Sequence, residues 1–280
     1  MENTALLVYA REDIEKNRWF IGRLTDLAAE RGTKLQLITP GDAREFFSCV
    51  TDHPAYVINR SRNAEISRAF EGSGIPSFNN PDTILLGNDK LLEYGFFKGA
   101  GLPVMDTVCG DTEEERIAFD PPFVVKHRRG HGGSRVFLAG SFAEALRIMD
   151  GTDRSEWIVQ KMCDEPGCDL RLYILGGRIL AGVIRRSEGD FRSNFSLGGK
   201  AELFTPDPVI CGQALKISEY LDADYIGIDL IRDGGRFVFN EIEDAVGARM
   251  LYEVSDLDPA ALFMDHIYEK TFQIAENGIK

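Results

Sequence analysis

Three acidic side chains, Asp229, Glu241 and Glu243, interrupt two apolar runs that flank Asp233, Gly234 and Gly235. The pattern predicts a β-hairpin over residues 226–243. Glu241 and Glu243 alternate along one strand and so share a face. If Asp233, Gly234 and Gly235 form a three-residue loop, Phe239 lies opposite Asp229 and Glu241 is its same-face diagonal neighbour. Ile226, Ile228, Leu230, Val238 and Ile242 mark the hairpin as buried rather than as a solvent-facing acidic stripe. Three acids on such a face repel one another and are costly to desolvate. A hard cation removes the problem, and magnesium held by carboxylates and phosphate is the usual case.

A second set of residues carries the opposite charge. Lys90 falls in the first turn of a helix predicted over residues 88–100, with Asn88 as its cap. A lysine there opposes the helix dipole, so it is either solvated, the reading the sequence alone favours, or reaches an anion. Residues 122–126 read as a strand ending in Lys126, followed by His127, Arg128, Arg129, Gly130, His131, Gly132 and Gly133. A glycine-rich loop can approach a phosphate and offer backbone N–H groups, although no Gly-Lys-Ser/Thr of a Walker A loop occurs. Arg171, Arg185 and Arg192 add cations from separate segments, with Arg60 and Arg62 as candidate helpers near the N-terminus. A magnesium nucleotide together with an anionic substrate would satisfy both sets.

These residues need elements to position them. Residues 1–86 alternate β and α signals and predict a small α/β layer with a mostly parallel sheet: strands at 5–10, 35–39 and 55–59, a helical stripe over 14–28, and a helix at 65–71. Its ligand edge should lie at the carboxyl ends of the strands. Residues 141–150 read as a helix with Ser141 capping and Glu144 closing a capping box. Residues 157–161 form a strand, and 169–175 with 178–186 a hairpin across Gly176 and Gly177. A helix over 208–221 leads into the carboxylate hairpin, and one over 258–275 covers the sheet.

The chain has 280 residues, 44% hydrophobic and 28% charged, with a net charge of −13. That balance suits a globular protein with ample core and argues against binding nucleic acid or anionic membranes. The first residues lack a basic region followed by an apolar core, so no secretion signal is expected; no apolar run approaches membrane length, and five scattered cysteines without a CxxC pair suit reduced thiols, so a cytoplasmic location is expected. Four histidines leave little for a histidine metal site or triad, and no Gly-x-Ser-x-Gly occurs.

The order and spacing of several segments resemble the RimK-like ATP-grasp carboxylate–amine ligases over nearly the whole chain. They are Asn59-Arg60-Ser61-Arg62, Phe78-Asn79, Asn88-Asp89-Lys90, residues 101–107 and 122–126, Val159-Gln160, residues 167–171 and 188–194, Gly198-Gly199, Gly227-Ile228-Asp229 and Glu241. The resemblance implies an α/β ATP-grasp fold: a pre-ATP-grasp domain (1–86), a central or lid subdomain (87–158) and a C-terminal subdomain with the metal site (159–280). The two α+β subdomains would clasp ATP. The implied activity is ATP-dependent joining of a carboxylate, an amino acid or acidic peptide, to an amine through an acyl phosphate. Alternatives are an ATP-grasp phosphotransferase and a nucleotide-binding module without turnover.

By the same resemblance, Lys90 and Lys126 hold ATP phosphates, Gly130 and Gly133 form the lid loop, and Gln160, Lys161, Met162 and Cys163 form the hinge at adenine. Asp169 sits near ribose or substrate, Arg185 beside the transferred group, and Asn194 is a polar contact. Arg171 and Arg192 join Arg185 in reading an anionic acyl substrate. Asp229, Glu241 and Glu243 bind magnesium, with manganese as the alternative, and a homodimer or homotetramer is implied. Four positions depart from the family pattern. Glu243 replaces an asparagine, Lys161 an acid, Arg135 a glycine and Leu197 an arginine.

Overall fold

The computed structural model describes residues 3–49, 53–133, 135–187 and 200–278. Its first strand is β1 (Asn3–Val8), where Leu6, Leu7 and Val8 are fully buried. A run apolar on both faces suits the middle of a parallel sheet. There follow α1 (Arg11–Ile14), α2 (Arg18–Glu30), β2 (Thr33–Ile38), α3 (Pro40–Cys49), β3 (Val57–Asn59), α4 (Ala64–Gly72), β4 (Ser77–Phe78) and α5 (Pro81–Leu86). The four strands run parallel in the order β2-β1-β3-β4, as expected. The helical stripe predicted over 14–28 is broken into two helices. Trp19 leaves the core to stand edge-on against Tyr252 at 4.5 Å.

Next come α6 (Lys90–Gly99), β5 (Thr107–Cys109), β6 (Phe123–His127), β7 (Val136–Ala139), α7 (Phe142–Ile148) and β8 (Trp157–Lys161). The strands form an antiparallel sheet in the order β5-β8-β6-β7, with its own core of Phe123, Val125, Ala145, Met149, Trp157 and Val159. Ser141 caps α7 by accepting from the Glu144 N–H, whereas Glu144 accepts from Gly140 N rather than closing a box on the cap. The division expected between residues 158 and 159 falls inside β8, all of which belongs to this central sheet.

The remainder is β9 (Glu165–Leu175), β10 (Arg178–Arg186), β11 (Lys200–Phe204), α8 (Pro208–Tyr220), β12 (Tyr225–Asp233), β13 (Arg236–Glu243), α9 (Arg249–Val254) and α10 (Pro259–Gly278). The five strands make a second antiparallel sheet, β11-β10-β9-β12-β13. Alternation sorts its side chains. Leu170, Leu172, Ile174, Ile226 and Ile228 face one way, packing with Phe97 of α6 and Ile217 of α8. Tyr173 and Leu175 face the other way. They enter a core shared with β1, α2 and α10, which contributes Phe263, Met264 and Ile267. Asp169 and Arg171 lie on that same face, earlier in β9.

Polar stitches reinforce the shared core. Asn79 donates to the Tyr225 and Asp244 carbonyls at 2.9 and 2.6 Å and accepts from the Asp224 and Tyr225 N–H groups. Arg60, expected to help at the substrate, instead donates to Tyr9 Oη and to the Val246 carbonyl, both at 2.7 Å. Arg62 is paired with Asp13. Both arginines are therefore committed to contacts made by the N-terminal layer.

Asp244 is buried. One of its oxygens accepts from Asn88 at 2.9 Å, while the other has no partner among the described residues. Burial pushes its carboxyl up to about 6. A carboxyl raised in the folded state destabilises the fold once ionised. The penalty is complete above the folded value and absent below the unfolded value of about 3.9. Asp244→Asn is therefore expected to gain on the order of 1–3 kcal/mol at about pH 8, shrinking as pH falls toward about 4. Urea melts at several pH values would check this, and a gain that does not vary with pH would contradict it.

Candidate active site

The β12–β13 turn decides where the acids meet. Asp233 pairs with Arg236, so the turn is the two residues Gly234 and Gly235, at φ 60° and 73°. Both conformations favour glycine. A register shift then falls between Asp229 and Leu230: Leu230 opposes Phe239, and Asp229 opposes Glu241 directly rather than diagonally. The extra residue is Asn240, so Asn240 and Glu241 both reach toward the central sheet. Asn240 Oδ1 accepts from Lys126 Nζ at 3.2 Å, and Glu241 lies 3.4 Å from Lys90 Nζ.

The three acids are not a bare cluster. Arg171 grips Asp229 through Nε and Nη2, both at 2.6 Å, and the same Nη2 bonds Glu243. Arg185 grips Asp169, with Nε–Oδ1 at 2.6 Å, and reaches Asp229 at 2.7 Å. Register explains the set, since Arg171 opposes Asp229 and Arg185 opposes Asp169 across neighbouring strands. Gly227, opposite Glu243, leaves room for Val246, whose methyl would lie 2.7 Å from any added Cβ. Burial disfavours the Asp229 carboxylate, yet Arg171 and Arg185 reverse that and hold it at about 2. The Glu243 carboxyl is raised, burial outweighing Arg171.

Asp169 is the partner of Arg185, and the arginines are matched by three carboxylates, so among the described residues this end is not locally basic. Among the described residues no three acids, histidines or cysteines converge as an all-protein metal cage. Arg192 and Asn194 lie outside the described residues.

Lys90 is not solvated; its side chain is only 12% exposed. Helix α6 starts one residue later than expected, with Asp89 capping Leu91 and Leu92 N–H groups and Asn88 turned to Ile84 and Asp244. Lys90 Nζ donates to the Gly130 carbonyl at 2.8 Å. Burial works against its ammonium, but Glu241 and Glu93 more than offset this and its pKa is raised. Lys126 is buried too, and there burial outweighs Glu241 and lowers the pKa. Arg128 clasps Asp89 at 3.0 and 2.7 Å, and its carbonyl accepts from Lys90 N, tying the root of the lid loop to the head of α6. Gly130 and Gly133 lie in that loop, Gly133 at φ 75°.

Sequence reasoning missed Asp89 and Glu93. Glu93 is 1% exposed, accepts from Ile242 N at 2.6 Å, and burial raises its carboxyl well above the usual range. The signal was available, because an acid three residues after Lys90 and four before Phe97 sits on the apolar face of α6.

A small cavity lies between the sheets, lined by Lys90, Met105, Lys126, Gln160, Phe239 and Glu241 among others. Gln160 is anchored through Nε2 to Thr107 Oγ1 at 3.0 Å, and Lys161 N donates to the Asp106 carbonyl at 2.9 Å. The Lys161 side chain turns to Asp233 at 3.8 Å, while Asp164 accepts from Gly234 N at 2.9 Å. Met162 and Cys163 follow, half-buried, with burial raising the Cys163 thiol against the pull of Lys126.

Residues 108–267 match the RimK-like ATP-grasp domain. The chain belongs to that family. The MG011 homolog of Mycoplasma pneumoniae is 30% identical over 254 residues, spanning 88% of this chain and 86% of that one. A protein of Methanococcoides burtonii named probable alpha-L-glutamate ligase is 26% identical over 282 residues, with 91% and 92% covered. D-alanine–D-alanine ligase of Bacillus anthracis, solved with ATP, superposes with a TM-score of 0.76 over 98% of this chain and 99% of that one. Its 13% identity bears on the fold alone. The ATP-grasp architecture expected from sequence is thus present, and the RimK-like chain is an ATP-dependent, ADP-forming carboxylate–amine ligase. No helix among its described residues is long and apolar enough to cross a membrane.

Proposed function

We propose that the charged face of the five-stranded sheet and the lysines above it are the catalytic centre, and that the nucleotide binds there with magnesium. The observation that carries this is the convergence of Lys90 and Lys126 on the Asn240–Glu241 bulge, with Asp229 directly across the hairpin. Lys90 and Lys126 give their ammonium groups to the phosphates, in exchange for Gly130 and Asn240. Gly130 and Gly133 close over them, and residues 160–163 border the base. Magnesium would be held by Asp229 and Glu241, where it would neutralise charge on the transferring phosphoryl group. Two carboxylates completed by phosphate oxygens suit that ion. Glu243, which shares Arg171 with Asp229, is the third candidate ligand.

The reaction begins when an oxygen of the substrate carboxylate attacks the γ-phosphorus. The bond to the β–γ bridging oxygen breaks, giving an acyl phosphate and ADP. The amine nitrogen then attacks the acyl carbon, loses a proton to solvent, and expels inorganic phosphate. Arg185, fixed between Asp169 and Asp229, offers a preorganised charge near the developing anion, and Arg171 keeps Asp229 in position. Arg192 and Asn194 are assigned to the same site by resemblance alone. The relatives named alpha-L-glutamate ligase favour an amino acid or peptide as substrate.

The test is ADP release over a matrix of carboxylates and amines, with products read by mass. The expected result is ADP only when both partners are present, with a product lighter by water than their sum. A phosphorylated carboxylate as the stable product would make the chain a phosphotransferase. Tight ATP binding without any ADP would make it a nucleotide-binding module.

A further inference from the structure

We infer that Glu93 of α6 is a positioning residue of the magnesium site: its side chain holds the β13 bulge in place against Lys90, and so sets how Glu241 meets a metal-bound nucleotide. This rests on the reading of the catalytic centre given above and adds a residue to it. The geometry starts from the edge of the sheet. Among the described residues β13 is the last strand of its sheet, so the N–H groups on its outer side have no neighbouring strand to bond. Two of them find other acceptors. Phe239 N donates to the Pro103 carbonyl at 2.8 Å, and Ile242 N to Glu93 Oε1 at 2.6 Å. These bonds flank Asn240 and Glu241, the residues that reach Lys126 and Lys90. The bulge is thus pinned before Asn240 by main chain and after Glu241 by a side chain.

That side chain comes from the helix that carries Lys90. Lys90, Glu93 and Phe97 follow helical spacing and share one face of α6. Phe97 packs on Phe239 with ring centroids 5.5 Å apart, and Glu93 is 1% exposed. One helical face therefore presents the phosphate lysine, an anchor just after the bulge and an aromatic contact just before it. An apolar residue would suit that face better, because a buried carboxyl loses its hydration. Breaking the local pattern in this way is expected where a residue serves a site. The bond to Ile242 needs only an acceptor oxygen, which a carboxyl offers in either protonation state. Slack at Ile242 would pass directly to Glu241, and magnesium tolerates little departure from octahedral geometry.

The test uses two variants of the full chain that separate reach from charge. Glu93→Gln keeps the length of the side chain and an acceptor oxygen. Glu93→Asp keeps the acid but draws it back from Ile242. Affinity for a non-hydrolysable ATP analogue is measured with and without magnesium, and hydrogen exchange is followed at the Ile242 amide. Magnesium should tighten the analogue in wild type. Glu93→Gln should keep that gain and the protection of Ile242. Glu93→Asp should lose about tenfold of the gain and expose Ile242 to exchange, with affinity in the absence of magnesium unchanged. A purely structural role would lower the melting temperature without touching the gain from magnesium, and that result would overturn the inference. So would an undiminished gain in Glu93→Asp, or a lost gain in Glu93→Gln, which would transfer the role to the charge facing Lys90. A wild type that gains nothing from magnesium would overturn the placement of the metal, and this inference with it. If the gain depends on Glu93 as described but no carboxylate–amine pair releases ADP, the ligase reading fails and the positioning role stands.

Discussion

Asp229→Asn is expected to abolish ADP formation and, in the same variant, to lower the melting temperature. The first effect follows from its proposed place opposite Glu241. The second follows from the network beneath. Asp229 is the carboxylate that both Arg171 and Arg185 grip, and all three side chains are 6% exposed. Removing one charge from a buried set leaves its partners uncompensated, and such losses run at about 3–5 kcal/mol. For a chain of this length that corresponds to roughly 10 °C. Sequence reasoning alone would have the fold unchanged in this variant, since a lone metal ligand can be neutralised cheaply. Thermal melting and ADP release on the same preparation separate the two effects. An unchanged melting temperature would show that the arginines find other partners, and residual turnover near wild type would remove Asp229 from the metal site.

The second large effect concerns Lys126 and Lys90. Each alanine variant should weaken ATP binding by roughly tenfold to a hundredfold, equivalent to about 1.5–3 kcal/mol for a lost charge-assisted contact. Their effects on the free protein should differ. Lys126 is a buried cation whose one hydrogen bond among the described residues is to a neutral amide, and burial already lowers its pKa. Lys126→Ala should therefore leave stability unchanged or improve it. Lys90 bridges Glu241 and the Gly130 carbonyl, so Lys90→Ala should cost stability as well as affinity. Calorimetric titration with ATP alongside denaturant melts would check both. Unchanged affinity in both variants would return the lysines to a structural role.

Much of this centre could be read from residue order, because the hairpin, the lysines and the arginines announce themselves by charge inside apolar runs. What could not be read was their pairing. Asp-Gly-Gly is compatible with a two- or a three-residue turn, and the bulge at Asn240 compensates for the difference, so the face came out correctly while the partner of Asp229 did not. Lys90 looked solvated because local helix electrostatics is visible in sequence and burial by a distant loop is not. Arg60 looked like a substrate contact because its partners, Tyr9 and Val246, are 51 and 186 residues away. Helix α5 carried its full start signal, Asn80 as cap and Pro81 in the first turn, yet it was not among the helices read from the sequence. Helix α9, six residues without a side-chain cap, offered no such mark.

The core shared by β1, α2, β9, β12 and α10 has a consequence for how the molecule opens. Regions that bury one continuous set of side chains lose their amide protection together, and a region with its own core can open alone at lower cost. The outer layers, although far apart in sequence, should exchange backbone hydrogens as one slow unit. The central sheet, with Val125, Trp157 and Val159 in a separate cluster, should exchange as a faster one. Nucleotide held by Lys126 of β6 on one side and by the β13 acids on the other would bind these two units together. Substrate occupancy is then recorded in the protection of β6 and β8, away from any reacting atom.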